Sequence, residues 1–178
     1  MNVYPIEAGN FKLDGGAMFG VVPKSLWTKT NPADADNMIE MSSRCMLVEN
    51  SDKLILVDTG MGDKQSEKFF KYYKRWGSDN LVKSINSAGF SIDDVTDVLL
   101  THLHFDHCGG AVAWDSSKEA YDVLFKNANY WSNEKHWDWA TSPNPREKAS
   151  FLDENLFPIK ESCLLYTSPS TRDVCSSR

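Results

Sequence analysis

The apolar run Val98-Leu99-Leu100 leads directly into Thr101-His102-Leu103-His104-Phe105-Asp106-His107-Cys108-Gly109-Gly110, and no other stretch constrains the chain as tightly. Three of its 4 histidines fall here, and with Asp106 they place four potential metal donors between positions 102 and 107. A short apolar run closed by two glycines reads as a buried strand that ends in a loop. Successive strand side chains point to opposite faces, so His102 and His104 share one face. Two converging imidazoles can hold one Zn²⁺ at roughly 2.0–2.1 Å each. Asp106 and His107 follow where the chain is already turning, and they offer an oxygen and a nitrogen to a second ion beside the first. Gly109 and Gly110 permit a tight backbone that a bulkier residue would block. Imidazole mixed with carboxylate, and no carboxylate at position 104, favours zinc over a non-haem iron site. The plainer alternative is a histidine-rich turn without metal, and the H-x-H-x-D-H spacing between an apolar strand and Gly-Gly outweighs it.

The elements around this junction alternate. Residues 11–22 read as a strand entered through the Gly15-Gly16 turn, and 23–41, with Pro23 and Pro32, as a loop. Cys45–Val48 and Leu54–Val57 flank Asn50-Ser51-Asp52-Lys53 as a β-hairpin, continuously apolar and so expected to be buried on both faces. Ser66–Trp76 carries Phe69, Tyr72, Tyr73 and Trp76 at helical spacing. Asp79–Ala88 reads as a second helix, with Leu81, Val82 and Ile85 inward and Gly89 as its stop. Ser91–Asp94 is a capping pattern ahead of the motif strand. Ala128–Trp131 reads as a strand and Ser132 as the cap of a helix bearing His136, Trp137 and Trp139. Pro143-Asn144-Pro145 breaks that helix, Arg146–Leu156 resumes it, and Pro158 ends it. Helices between strands predict an α/β layered domain.

Thr101–Gly110 resembles the signature of the metallo-β-lactamase-fold hydrolases, and Leu54-Ile55-Leu56-Val57-Asp58-Thr59-Gly60 resembles the segment that precedes it there. Leu13–Gly20 and Asn129-Tyr130-Trp131-Ser132 are similar to a branch that includes quorum-quenching lactonases and organophosphate hydrolases. The resemblance covers roughly residues 1–162. It implies the N-terminal portion of an αββα sandwich, two Zn²⁺ per complete site, and His102, His104, Asp106 and His107 as metal ligands. It also implies that Asp58 lies beneath the ligands and orients one by a hydrogen bond; a turn-forming Asp ahead of Thr59-Gly60 is the other reading. Met18 and Phe19 would border the mouth of the site or fill the core. Cys108 becomes a packing residue rather than a thiolate donor, and His136 an amphipathic-helix histidine. The implied chemistry is a metal-activated hydroxide attacking a lactone or related ester, with Asp106 helping to orient the nucleophile. A thioester hydrolase of the glyoxalase II type shares the motif, as do an iron-dependent sulfur dioxygenase and a nuclease of the same fold.

The family's remaining ligands, a third histidine, a bridging Asp and a last histidine, lie downstream of the signature, and no histidine follows His136 here. The expectation is therefore a truncated, non-catalytic fragment of such an enzyme. From Cys163 to Arg178 the sequence turns Ser/Thr-rich without period and resembles translated cloning or adaptor sequence. Residues 163–178 are expected to be a disordered tail beside a 1–162 domain, packing against nothing.

With 178 residues the chain has room for one domain with a real core. A net charge of −6 and the lack of a basic run argue against nucleic acid and leave a small-molecule substrate as the expected partner. There is no signal-peptide pattern and no apolar run of membrane-spanning length, so a cytoplasmic protein without a membrane partner is expected. Cys45, Cys108, Cys163 and Cys175 show neither CxxC spacing nor a disulfide framework. Nothing in the sequence addresses oligomeric state.

Overall fold

A computed structural model describes residues 1–162 and 165–168. Strand β1 (Asn2–Asp14) runs into helix α1 (Gly15–Phe19), which opens where the Asp14 carboxylate accepts the Ala17 N–H at 2.7 Å. A short helix α2 (Lys24–Trp27) follows, then β2 (Met38–Asn50) and β3 (Lys53–Val57). Helices α3 (Glu67–Tyr73) and α4 (Leu81–Ser87) carry the chain over to β4 (Asp97–Leu99). The motif supplies the short helix α5 (Phe105–Cys108), and β5 (Val112–Trp114) pairs with β6 (Tyr121–Val123) as a separate hairpin. Strand β7 (Asn129–Asn133), helices α6 (Glu134–Thr141) and α7 (Asp153–Glu161), and strand β8 (Leu165–Ser168) complete the described chain.

Six strands form one sheet in the order β1-β2-β3-β4-β7-β8. The first three are antiparallel; β3–β4, β4–β7 and β7–β8 are parallel. A parallel step needs a crossover, which α3 and α4 supply between β3 and β4. On one face Ile6, Leu47, Leu56, Val98 and Tyr130 are wholly buried, in one cluster with Ile85 of α4, Trp137 of α6, and Leu156 and Ile159 of α7.

The opposite face departs from expectation. The sequence predicts strands buried on both faces, yet side chains alternate. Met46, Val57, Leu99 and Trp131 stand in register across four strands, with Tyr166 of β8 next in the row. Met46 and Leu99 are each 42% exposed. Helices α4, α6 and α7 all pack on the first face, so the second carries an apolar row without a covering layer among the described residues.

Other boundaries move as well. The N-terminal strand is β1, and residues 15–19, expected as a glycine turn leading into a strand, are helical. The segment expected as a loop, 23–41, contains α2 and the start of β2. Helix α6 is capped by Asn133, whose Oδ1 accepts the His136 N–H at 3.1 Å, while Ser132 stays in β7. The expected helix over 146–156 is interrupted: a 3₁₀ turn at Lys148–Ser150 gives way to extended Phe151, which buries its ring, and α7 begins at Asp153. Pro158 lies inside α7 instead of ending it. It costs the helix one hydrogen bond, and the burial of Leu156 and Ile159 on either side keeps the turn intact.

The tail also differs in part. Leu165–Ser168 pair in parallel with β7, Leu165 packs against the main core, and the Tyr166 ring stacks 5.0 Å from Trp131. The expectation that this stretch packs against nothing fails for these four residues, because an extended segment satisfies the open edge of β7. Cys163, Leu164 and residues 169–178 lie outside the described residues.

Candidate metal centre

The motif begins where sheet pairing ends. Leu100 N–H donates to Trp131 O at 2.9 Å, the last such bond on that side of β4. Beyond it, His102 and His104 project while Leu103, wholly buried between them, anchors the backbone. His104 is the N-cap residue of α5, so Asp106 and His107 occupy its first turn rather than an irregular loop. The structure brings the three imidazoles together: the His102 ring centroid lies 3.8 Å from that of His107 and 4.7 Å from that of His104. Asp106 Oδ2 is 3.6 Å from His107 Nε2.

Asp58, at the end of β3, reaches the same point. Its Oδ2 lies 2.9 Å from His107 Nδ1, and its carboxylate accepts the Thr101 N–H at 2.9 Å and the Thr101 hydroxyl at 2.7 Å. Burial pushes this carboxyl up, but the hydrogen bonds from His107 and Thr101 outweigh it and hold Asp58 below the usual carboxylate range. Burial pulls His107 down, and the Asp58 hydrogen bond with the charges of Asp106 and Asp58 raises it overall. His102 is pushed down to about 4 by burial and by the neighbouring His107 and His104 rings. That shift favours the uncharged imidazole, the form that ligates metal.

The motif and the segment after β3 interlock backbone to backbone. Thr59 N–H and its hydroxyl both donate to His107 O, at 2.8 and 2.9 Å, and Gly110 N–H donates to Gly60 O at 2.9 Å. A Cβ on Gly109 would stand 2.2 Å from Met61 O, and one on Gly110 2.1 Å from Thr59 O. The two glycines are thus required by close approach. Lys64, 5% exposed, lies under the same turn and donates from Nζ to Gly109 O.

Two further donors are committed elsewhere. Cys108 is wholly buried, its Sγ donates to Leu103 O at 3.3 Å, and burial pushes the thiol up to about 12. His136 projects from α6 towards the motif, where its Nε2 accepts the Leu103 N–H at 2.9 Å. The roles of His136 and Lys64 are not legible in the sequence, since neither spacing nor composition reveals which backbone group a buried side chain will meet. Phe19 stacks on Trp27, ring centroids 4.9 Å apart, and neither Met18 nor Phe19 lines the cavity beside the motif. That cavity, about 150 Å³, is walled by Asp58, Asp106, His107, Cys45, Phe11 and Met41.

As placed, no three His, Cys, Asp or Glu side chains among the described residues form a closed ion site. The donor set fits zinc in kind: grouped imidazoles, one with its uncharged form favoured, another with Nδ1 engaged by Asp58 and Nε2 on the Asp106 side. No helix among the described residues is long and apolar enough to cross a membrane.

A sequence profile described as "Metallo-beta-lactamase superfamily" matches residues 39–176. An N-acyl homoserine lactonase of Bacillus cereus is 28% identical over 144 residues, covering 74% of this chain and 55% of the lactonase. A probable metallo-hydrolase of Mycobacterium bovis is 31% identical over 108 residues, covering 53% of this chain and 35% of that protein. Among solved structures, a probable metal-dependent hydrolase from Staphylococcus aureus superposes with a TM-score of 0.83 at 29% identity, covering 94% of this chain and 59% of that one. A dizinc quorum-quenching lactonase in complex with a product shares the fold, with a TM-score of 0.65 at 24% identity over 93% of this chain and 57% of its own. The chain thus spans a little over half the length of the lactonase and of the Staphylococcus hydrolase.

Proposed function

Because this chain belongs to the metallo-beta-lactamase superfamily, we propose that it carries the metal-binding half of a zinc-dependent hydrolase acting on a lactone or related ester. The observation that carries this reading is the grouping of the His102, His104 and His107 rings beside Asp106 at the end of β4. His102 and His104 would hold one ion, and Asp106 with His107 a second. When bound, zinc supplies Lewis acidity, polarising a carbonyl and bringing the pKa of water towards neutral.

The chain's own residues do the rest. Asp58 fixes the His107 ring through Nδ1, leaving Nε2 for an ion. Asp106, on the wall of the cavity, accepts a hydrogen bond from the attacking water and so orients it. Phe11 and Met41 on the same wall exclude bulk water from a small ester. The names of the relatives, N-acyl homoserine lactonases, favour a lactone over the thioester of the glyoxalase II alternative.

With two donors per ion instead of the usual three, zinc binding by these 178 residues is expected to be weak and turnover undetectable. Titrating the full chain with zinc, beside His104→Ala and Asp106→Ala variants, tests the ligand assignment. Binding that survives both substitutions would refute it. Following ring opening of an N-acyl homoserine lactone against thioester cleavage tests the substrate class, and measurable lactone turnover would show that four donors suffice.

A further inference from the structure

His136 projects into the region of the metal motif without being available as a ligand. Its Nε2, the atom nearest the motif backbone, is occupied by the Leu103 N–H at 2.9 Å. A neutral imidazole accepts through one nitrogen only, so its hydrogen sits on Nδ1. The ring is itself held. The His136 N–H is bonded to Asn133 Oδ1, which fixes the start of α6, and the ring packs 5.9 Å from that of Phe151. Phe151 in turn meets the His104 ring at 4.9 Å.

Leu103 is the residue between the first two donors. Its side chain is wholly buried, its C=O accepts from Cys108 Sγ, and its N–H has lost the sheet partner that Leu100 still has. Without an acceptor for its N–H, the peptide at that position would lose one of the restraints on its orientation. The Leu103 N–H belongs to the peptide that joins His102 Cα to Leu103 Cα, so movement of that peptide turns His102 relative to His104. Rigid support of this kind decides whether donors meet within the narrow tolerance a metal site demands.

We propose that His136 is a positioning residue for the metal site: by accepting the Leu103 N–H it locks the His102–Leu103 peptide and so holds the His102 imidazole in place relative to that of His104. The inference rests on the ligand reading given above. Loss of the acceptor should loosen the donor pair more than it loosens the fold, since the Leu103 side chain remains buried.

The experiment uses the full chain loaded with cobalt(II) and with zinc, comparing the unaltered protein, His136→Leu and His136→Gln. The readouts are zinc affinity, the visible absorption of bound cobalt, which reports ligand geometry, and the unfolding midpoint without metal. His136→Leu should weaken zinc about tenfold or more and change the cobalt spectrum, with a metal-free midpoint close to the unaltered one. His136→Gln, whose Oε1 can accept the same N–H, should restore both metal readouts. If the unaltered chain binds neither metal, the ligand reading fails and this inference falls with it. If it binds and His136→Leu binds as tightly with the same spectrum, only this inference is overturned. Should His136→Leu not fold, Leu103 replaced by its α-hydroxy acid removes the donor while His136 stays; unchanged metal binding in that protein overturns the proposal equally.

Discussion

Asp58 and His107 lie 49 residues apart in sequence, yet the Asp58 carboxylate meets His107 Nδ1 at 2.9 Å. The same carboxylate takes two hydrogen bonds from Thr101. One side chain thus ties the first and the last parts of the donor stretch to the end of β3. Asp58 does so from a left-handed backbone, φ +59, a conformation that costs most side chains energy and that Asp and Asn tolerate.

Asp58→Asn keeps that backbone and the side-chain shape but removes the charge and one acceptor. Zinc affinity should fall about 10- to 100-fold, measured by competition with a chromophoric chelator. Affinity equal to that of the unaltered chain would mean the carboxylate is only a turn former.

Zinc should raise the unfolding midpoint of the chain, since an ion that binds only the folded state stabilises it in proportion to saturation. At a free concentration of about 100 times Kd the gain is about 2.7 kcal/mol. The increment should vanish on adding a chelator and be absent in His104→Ala. A zinc-induced shift that persists in His104→Ala would place the ion elsewhere.

Gly110→Ala should be among the most damaging small substitutions in the chain. Its new methyl would meet Thr59 O at 2.1 Å, a backbone atom of a residue tied to the motif by the Thr59 N–H bond to His107 O. A loss of about 3 kcal/mol or more is expected, at or beyond the usual range for overpacking. Gly89→Ala, at φ +92 with nothing near the added carbon, should cost only about 1–2 kcal/mol of backbone strain. Urea midpoints of the two variants give the comparison, and equal losses would deny that close approach governs Gly110.

Lys64 makes stability depend on alkaline pH. Burial lowers its ammonium from 10.5 to about 8. The folded state therefore disfavours the proton that the unfolded chain accepts, so the favourable contribution present above pH 10.5 is lost as pH falls to about 8 and stays lost below. The span corresponds to a penalty of order 3 kcal/mol at neutral pH. Stability should rise between pH 8 and 10.5, and Lys64→Met should flatten that rise in urea titrations at each pH. A slope that survives the substitution belongs to another group.

The grouping of the His102 and His104 rings was legible because these candidate donors are nearly contiguous, although they meet beyond the end of β4 and not on a strand face. The hairpin of β2 and β3, helix α4 with its Gly89 stop at φ +92, and the capping box at Ser91–Asp94 were legible for the same reason, each being a local pattern. Strand β1 was not. Pro5 lies within it, tolerated because β1 is an edge strand, and a bulge between Glu7 and Asn10 shifts the alternation that marks a half-buried strand. Burial on both faces of β2 and β3 was misread because an apolar run looks alike whether one face or two are covered. The hydrogen bond from Leu103 to His136 and the burial of Lys64 depend on how α6 and the loop after β3 dock, which no local pattern encodes.

The interlock of Thr59-Gly60 with His107–Gly110 sets when the site can exist during folding. Its two halves are joined through a parallel step, β3 to β4, and everything from Asp58 to Leu99 must loop out before their hydrogen bonds can form. Closing such a loop costs chain entropy before any contact repays it, so pairings of this kind are slow to form. Hairpins such as β2–β3 can close early; the orientation of His107 cannot, because Asp58 meets it only once β4 lies beside β3. The candidate donors are neighbours along the chain, but the hold of Asp58 on His107 is a late product of folding, and a newly made chain would set that ring last.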